Sequence, residues 1–127
     1  MRIHHIAVVC RSEENADRFY CDLLGLERTR SFTVSAGLSR GLFGFDHSFK
    51  TLTYLKHDMT FEVFVVQDAP AIIPHLHHVG LEVEDRKRFL EKCREMQVQI
   101  METPKEGRVV TMIKDFDGNL FEIKEKA

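Results

Sequence analysis

Along Arg2–Val9 the chain alternates, with Ile3, His5, Ala7 and Val9 on one side of an extended backbone and His4, Ile6 and Val8 on the other. That period of two predicts a strand. The period then lengthens. Ser12 is a suitable N-cap, and Ala16, Phe19, Tyr20, Leu23 and Leu24 follow helical spacing. Gly25 stands where a left-handed residue closes a helix. Glu27–Val34 reads as a second strand, and Lys50–Lys56 with Met59–Val66 as a hairpin turned at His57-Asp58. The order is strand, helix, strand, strand, strand.

The same order returns further on. Leu76–Glu84 predicts a strand, and Asp85 caps a helix carrying Phe89, Cys93 and Met96 at helical intervals. Val98–Glu102 and Arg108–Lys114 follow as strands, Asp117-Gly118-Asn119 is a turn, and Leu120–Lys124 closes the unit. The recurrence extends to residues. Ile3-His4-His5-Ile6-Ala7-Val8 matches Leu76-His77-His78-Val79-Gly80-Leu81, and Phe61-Glu62-Val63 matches Phe121-Glu122-Ile123. From 5 to 78 the displacement is 73 and from 62 to 122 it is 60, so the first copy carries 13 extra residues between its His and its Glu. They fall within Ser35–Ser48, a stretch with Gly37, Gly41, Gly44 and exposed-looking Leu42, Phe43 and Phe45, which reads either as a long loop packed over the sheet or as a lid or substrate wall. The pattern sets modules at 1–67 and 75–127 of a single domain, 1–127, joined by a linker at Asp68–Pro74.

Composition narrows the class. With 43% hydrophobic and 30% charged residues, the 127-residue chain is that of a globular domain. A net charge of -2 with interspersed Lys and Arg offers no basic stripe for nucleic acid, and no apolar run is long enough to span a bilayer. The start, Met1–His5, runs directly into a strand pattern, with no signal or transit peptide visible. Cys10, Cys21 and Cys93 are odd in number and widely spaced, as in a cytoplasmic protein with free thiols.

Glu62 and Glu122 each interrupt a mostly apolar strand at equivalent places, and a buried carboxylate is costly unless paired or bound to a metal. Two acids and two histidines, His5 and His78, recur together and suit a divalent ion such as Zn, Ni, Co, Mn or Fe. Ala7 and Gly80 follow the histidines on their own faces and leave space there. Strand alternation turns His4 and His77 to the opposite face, and His47, His57 and His75 keep the ordinary reading of surface histidines.

At these residues the sequence resembles the vicinal oxygen chelate superfamily, the glyoxalase/bleomycin-resistance/dioxygenase family. The resemblance is carried by His5-Ile6-Ala7-Val8-Val9 leading to Phe19-Tyr20-Cys21-Asp22-Leu23-Leu24-Gly25-Leu26, by His78-Val79-Gly80-Leu81-Glu82-Val83, and by Asp115-Phe116-Asp117-Gly118-Asn119-Leu120-Phe121-Glu122-Ile123. Phe116 stands where the family usually has proline. The resemblance implies an α+β fold of two βαβββ modules whose curved, cup-like mixed sheets close around a metal. It places ligands at His5, Glu62, His78 and Glu122, a set found in the nickel-type glyoxalase I (lactoylglutathione lyase) members. Many members are homodimers, some with sites shared between subunits.

The activity so implied is that of a metal-dependent lyase or isomerase. A divalent metal stabilises an enediolate of a small-molecule substrate, and Glu122 or Glu62 shuttles the proton. Val9 and Val66 occupy neighbourhoods where glyoxalase I carries polar residues for glutathione, which separates the metal chemistry from the choice of thiol. Arg30, Arg40, Lys56 and Arg108 are candidates for an anionic substrate, with solvated surface charge as the ordinary reading. Epimerase, thiol-transferase and dioxygenase chemistry use the same scaffold, and some members are non-enzymatic binders of small molecules.

Overall fold

The computed structural model describes residues 3–69 and 77–126. Arg2, most of the expected linker from Pro70 to Pro74, His75, and the expected strand start at Leu76 lie outside them. The chain divides into two compact units, Met1–Pro70 and Ala71–Ala127.

In the first unit the elements are β1 (Ile6–Cys10), α1 (Glu13–Ala16) running into a π-helical stretch (Asp17–Leu23), β2 (Glu27–Val34), α2 (Ala36–Phe43), β3 (Phe49–Lys56) and β4 (Met59–Val65). The sheet order is β1-β4-β3-β2. β1 lies parallel to β4, whereas β2, β3 and β4 form an antiparallel meander. One face of this sheet is covered by the first helix. Alternation sends Leu52, Tyr54, Phe61 and Val63 to that face, where they bury completely with Ala16, Phe19 and Tyr20. The ring of Tyr20 lies 5.3 Å from Phe61 and 5.5 Å from Tyr54, centroid to centroid. Each of the larger of these side chains contributes about 1.5–3 kcal/mol by leaving water.

The helix starts where Ser12 accepts from the Asn15 amide at 3.1 Å and ends at Gly25, whose φ of 74° a residue with a Cβ resists. It is not the regular α-helix that the spacing predicts. The Leu24 amide bonds back to the Phe19 carbonyl, and the wider turn brings Phe19, Tyr20 and Leu23 into the core together.

The stretch read as a loop or wall holds a helix. The Ser35 hydroxyl accepts from the Leu38 amide at 3.2 Å, and Gly44 closes α2 in the left-handed region at φ 67°.

The second unit runs β5 (Val79–Val83), α3 (Arg86–Glu95), β6 (Gln99–Lys105), β7 (Arg108–Lys114) and β8 (Leu120–Glu125), in the sheet order β5-β8-β7-β6. The strand order and directions repeat those of the first unit. Asp85 caps α3 by accepting from the Arg88 amide at 2.9 Å. Leu90 and Cys93 are buried, as are Leu81, Ile113, Phe121 and Ile123 of the sheet. The β7–β8 turn is organised by one buried carboxylate. Asp115 accepts from the Asp117 amide at 3.0 Å, the Asn119 amide at 2.8 Å and the Asn119 side chain at 2.7 Å.

The fold is thus α+β, with two four-stranded mixed sheets of βαβββ type and a helix inserted into the first. Among the described residues no helix is long and apolar enough to cross a membrane.

Candidate metal centre

His5 directly precedes β1 and His78 directly precedes β5. In the parallel pairings Ala7 lies opposite Glu62 and Gly80 opposite Glu122, so each acid shares a sheet face with the histidine two residues before its partner. The two small residues leave the space between the side chains unfilled. His5 Nε2 stands 3.3 Å from Glu62 Oε2, and His78 Nε2 stands 3.5 Å from Glu122 Oε2. The side chains are 39% and 26% exposed in the first pair and 40% and 23% in the second, so the pairs are near duplicates in exposure as well as distance.

These exposures correct one step of the sequence argument. The acids do not interrupt a core. Phe61 and Val63, like Phe121 and Ile123, face the helix side, while Glu62 and Glu122 stand half-buried on the side the helix leaves open. What read as a buried carboxylate among apolar neighbours is strand alternation between two faces.

Both separations exceed the roughly 2.9 Å of a well-made N–H···O bond. They fit another geometry better. Two donors about 2.1 Å from a common ion lie roughly 3.0–3.4 Å apart at octahedral to tetrahedral angles. Each His–Glu pair already holds about that spacing, and imidazole with carboxylate is a donor set for a first-row divalent metal.

Two neighbours escaped the sequence reading. Alternation was expected to turn His4 away from the pair, yet its Nδ1 lies 2.9 Å from His5 Nδ1, with the rings edge to face. One ring must donate and the other accept. If His5 donates, its Nε2 carries the lone pair that faces Glu62. The second neighbour is Lys124, whose Nζ lies 3.0 Å from Glu122 Oε1. This ammonium, aided by His78 and opposed by partial desolvation, holds the Glu122 carboxyl below the usual carboxylate range. Alternation alone places Lys124 on the face of Glu122, so that signal was present in the sequence.

A recess of about 560 Å³ in the second unit is lined by His78 and Glu122 and by the cations Arg86, Lys105, Arg108 and Lys124. Of the other basic residues considered for an anionic substrate, Arg40 is paired with Asp46 at 2.5 Å and Arg30 lies over the Phe32 ring. None of the cysteines forms a disulfide. Burial pushes the Cys93 thiol up to about 11 and raises Cys21 as well, which makes them poor nucleophiles.

The match to known families accords with this geometry. A model of the Glyoxalase/Bleomycin resistance protein/Dioxygenase superfamily matches residues 2–123. The chain belongs to that superfamily. Solved structures with the same fold include a glyoxalase family protein from Enterococcus faecalis, at 20% identity and a TM-score of 0.73, covering 96% of this chain and 95% of that one. The fosfomycin resistance protein FosX from Listeria monocytogenes is similar at 14% identity and a TM-score of 0.74, covering 100% and 94%. A mutant of that FosX, solved with Mn(II) and 1S,2S-dihydroxypropylphosphonic acid, is similar at 16% identity and a TM-score of 0.74, covering 99% and 93%. At these identities the likeness concerns the fold. No curated protein sequence matches this member of the superfamily.

Proposed function

We propose that the chain is a metal-dependent lyase or isomerase of the glyoxalase type, with one divalent ion held by His5, Glu62, His78 and Glu122. The observation that carries this reading is the duplication of the His–Glu pair, at 3.3 and 3.5 Å, on equivalent strands of the two units. A pair formed by chance has no reason to recur with the same atoms, spacing and exposure. Two pairs make a four-donor set, completed within one chain or between two copies in a homodimer.

When bound, the ion acts as a Lewis acid toward two adjacent oxygens of a small-molecule substrate. The chain's own residues do the rest. Glu122 has both oxygens engaged, by His78 and by Lys124, which suits a fixed ligand. At the position that corresponds to Lys124, the first unit has Phe64. Glu62, with an aromatic ring rather than an ammonium two residues on, is therefore the acid we assign to carrying the proton between neighbouring substrate carbons.

Loading the protein in turn with Ni(II), Co(II), Zn(II), Mn(II) and Fe(II) tests the reading. Isomerisation of a hemithioacetal by one of the loaded forms is the expected result. Oxygen uptake with Fe(II), in the absence of isomerisation by any form, would overturn the lyase assignment in favour of an oxygenase. Elemental analysis tests the ligands separately: metal content that survives Glu62→Ala unchanged removes Glu62 from the set.

A further inference from the structure

The extra residues of the first unit build something that the second unit lacks. Among the described residues, β6 and β7 are joined by a tight turn through Glu106 and Gly107, with φ of 50° and 77°. Between β2 and β3, by contrast, come α2 and the segment after it, and these bring Phe43 and Phe45 over the open face of the sheet. Phe43 lies 5.5 Å from the Phe64 ring and 6.2 Å from Phe49. Phe45 lies 6.3 Å from Phe49, and Phe49 lies 4.8 Å from Phe64. The four rings, with Val9 and Val66, wall a recess of about 440 Å³ whose polar lining is confined to His47 and Asp68.

This cluster is not sealed as a core would be. Phe43 is 54% exposed and Phe45 37%, an aromatic surface that water solvates poorly and that marks a binding face. Its position fixes what it binds. Phe64 follows Glu62 by two residues on β4, so it lies on the same face about 6.8 Å further along the strand. Val9, on β1, follows His5 by four residues and continues that face. The recess therefore begins one side-chain step from the His5–Glu62 pair. An apolar cavity of about 150 Å³ suffices for benzene, and this one has room for a two-ring group.

We propose that the recess receives an uncharged aromatic or bulky alkyl substituent of the substrate whose oxygens are held at the His–Glu site. The inference rests on reading that site as the metal centre, which gives the recess its direction. With no Lys or Arg in its lining, and with Asp68 at its edge an acid, the recess disfavours a carboxylate or phosphonate at that position. Val9 and Val66 are two of its walls.

The test compares two chelators that differ only in this substituent. Mn(II)-loaded protein is titrated calorimetrically with acetohydroxamate and with 2-naphthohydroxamate. The naphthyl compound is expected to bind at least about tenfold more tightly, from the apolar area it removes from water. Phe43→Ala and Phe64→Ala should each erase most of that ratio while leaving acetohydroxamate binding unchanged. A ratio near one, or a ratio that survives both substitutions, overturns the proposal. If neither hydroxamate binds in a metal-dependent way, the metal-centre reading has failed, and the fluorescence of 2-naphthamide with the metal-free protein decides the recess separately. Binding that is lost in Phe64→Ala sustains the recess. Absence of binding, as when a second copy occupies the same face, overturns it.

Discussion

Lys124 Nζ sits 3.0 Å from Glu122 Oε1, while the corresponding position beside Glu62 is Phe64. Two otherwise duplicate His–Glu pairs thus have opposite surroundings, one charged and one aromatic. Glu122 titrates below the ordinary carboxylate range because of that ammonium. A carboxyl whose folded pKa is depressed contributes stability above its unfolded pKa of about 4.3, and this is lost as the pH falls through the folded value. Lys124→Met should raise the Glu122 pKa, read by carbon NMR of the metal-free protein. Acid unfolding should then set in at higher pH than in the wild type. An unchanged Glu122 titration would show that the ion pair is not formed in solution.

His4 is expected to act on the metal through His5. With its Nδ1 2.9 Å from His5 Nδ1, it couples the tautomers of the two rings and restrains how the His5 ring is turned; when His5 is the donor, its Nε2 keeps a lone pair for the ion. Loss of such an outer partner typically lowers metal affinity about 10- to 100-fold. His4→Ala should weaken binding by about tenfold and alter the nitrogen NMR signature of the His5 tautomer. His57→Asn is the control. His57 lies at a hairpin tip with φ 54°, a conformation that Asn accepts, and its replacement should leave affinity unchanged.

The order of elements along the chain and the repeated pairs were legible because they depend on local periods and caps. Ser12, Gly25 and Asp85 do in the structure what their types suggest. α2 was not legible as a helix, since Gly37 and Gly41 each weaken a helix by about 1 kcal/mol. Its signals were the Ser35 cap and Gly44. The positions of Glu62 and Glu122 were readable, but their burial was not, because a sequence does not say which face of a sheet its helix covers. The His4–His5 contact depends on ring rotation at a strand entrance, which no periodicity reports.

Tyr54 shows how the covered face tolerates a polar group. Its fully buried hydroxyl donates to Asp17 Oδ1 at 2.7 Å, and Asp17 is paired in turn with Arg28 at 3.2 Å. Burial, followed by the hydrogen bond and charge of Asp17, raises the Tyr54 pKa far above its ordinary value. The folded state then loses stability as the pH rises past about 10, where the unfolded tyrosine ionises. Absorbance titration should show Tyr54 ionising only with alkaline unfolding. Tyr54→Phe should cost about 1 kcal/mol, the worth of one hydrogen bond whose acceptor keeps a second partner. A phenol that titrates reversibly near 10 in the folded protein would contradict this.

The Asp115 turn sets the position of Glu122. Its carboxylate holds two amides and one side-chain amide, and so fixes the length of the connection between β7 and β8. The resulting register puts Lys114 opposite Leu120 and Met112 opposite Glu122. A slip by one residue would carry Glu122 to the helix side and Phe121 to the open side. Asp115→Ala removes the acceptor and should destabilise the protein by about 2–3 kcal/mol, because the amides it served lose their partner. Asp115→Asn keeps one acceptor oxygen for the backbone and should cost less. Urea unfolding measures both. Metal affinity separates the turn's two effects: if Asp115→Ala lowers stability but the folded fraction binds metal as the wild type does, the register is held by the strands alone and the turn only stabilises it.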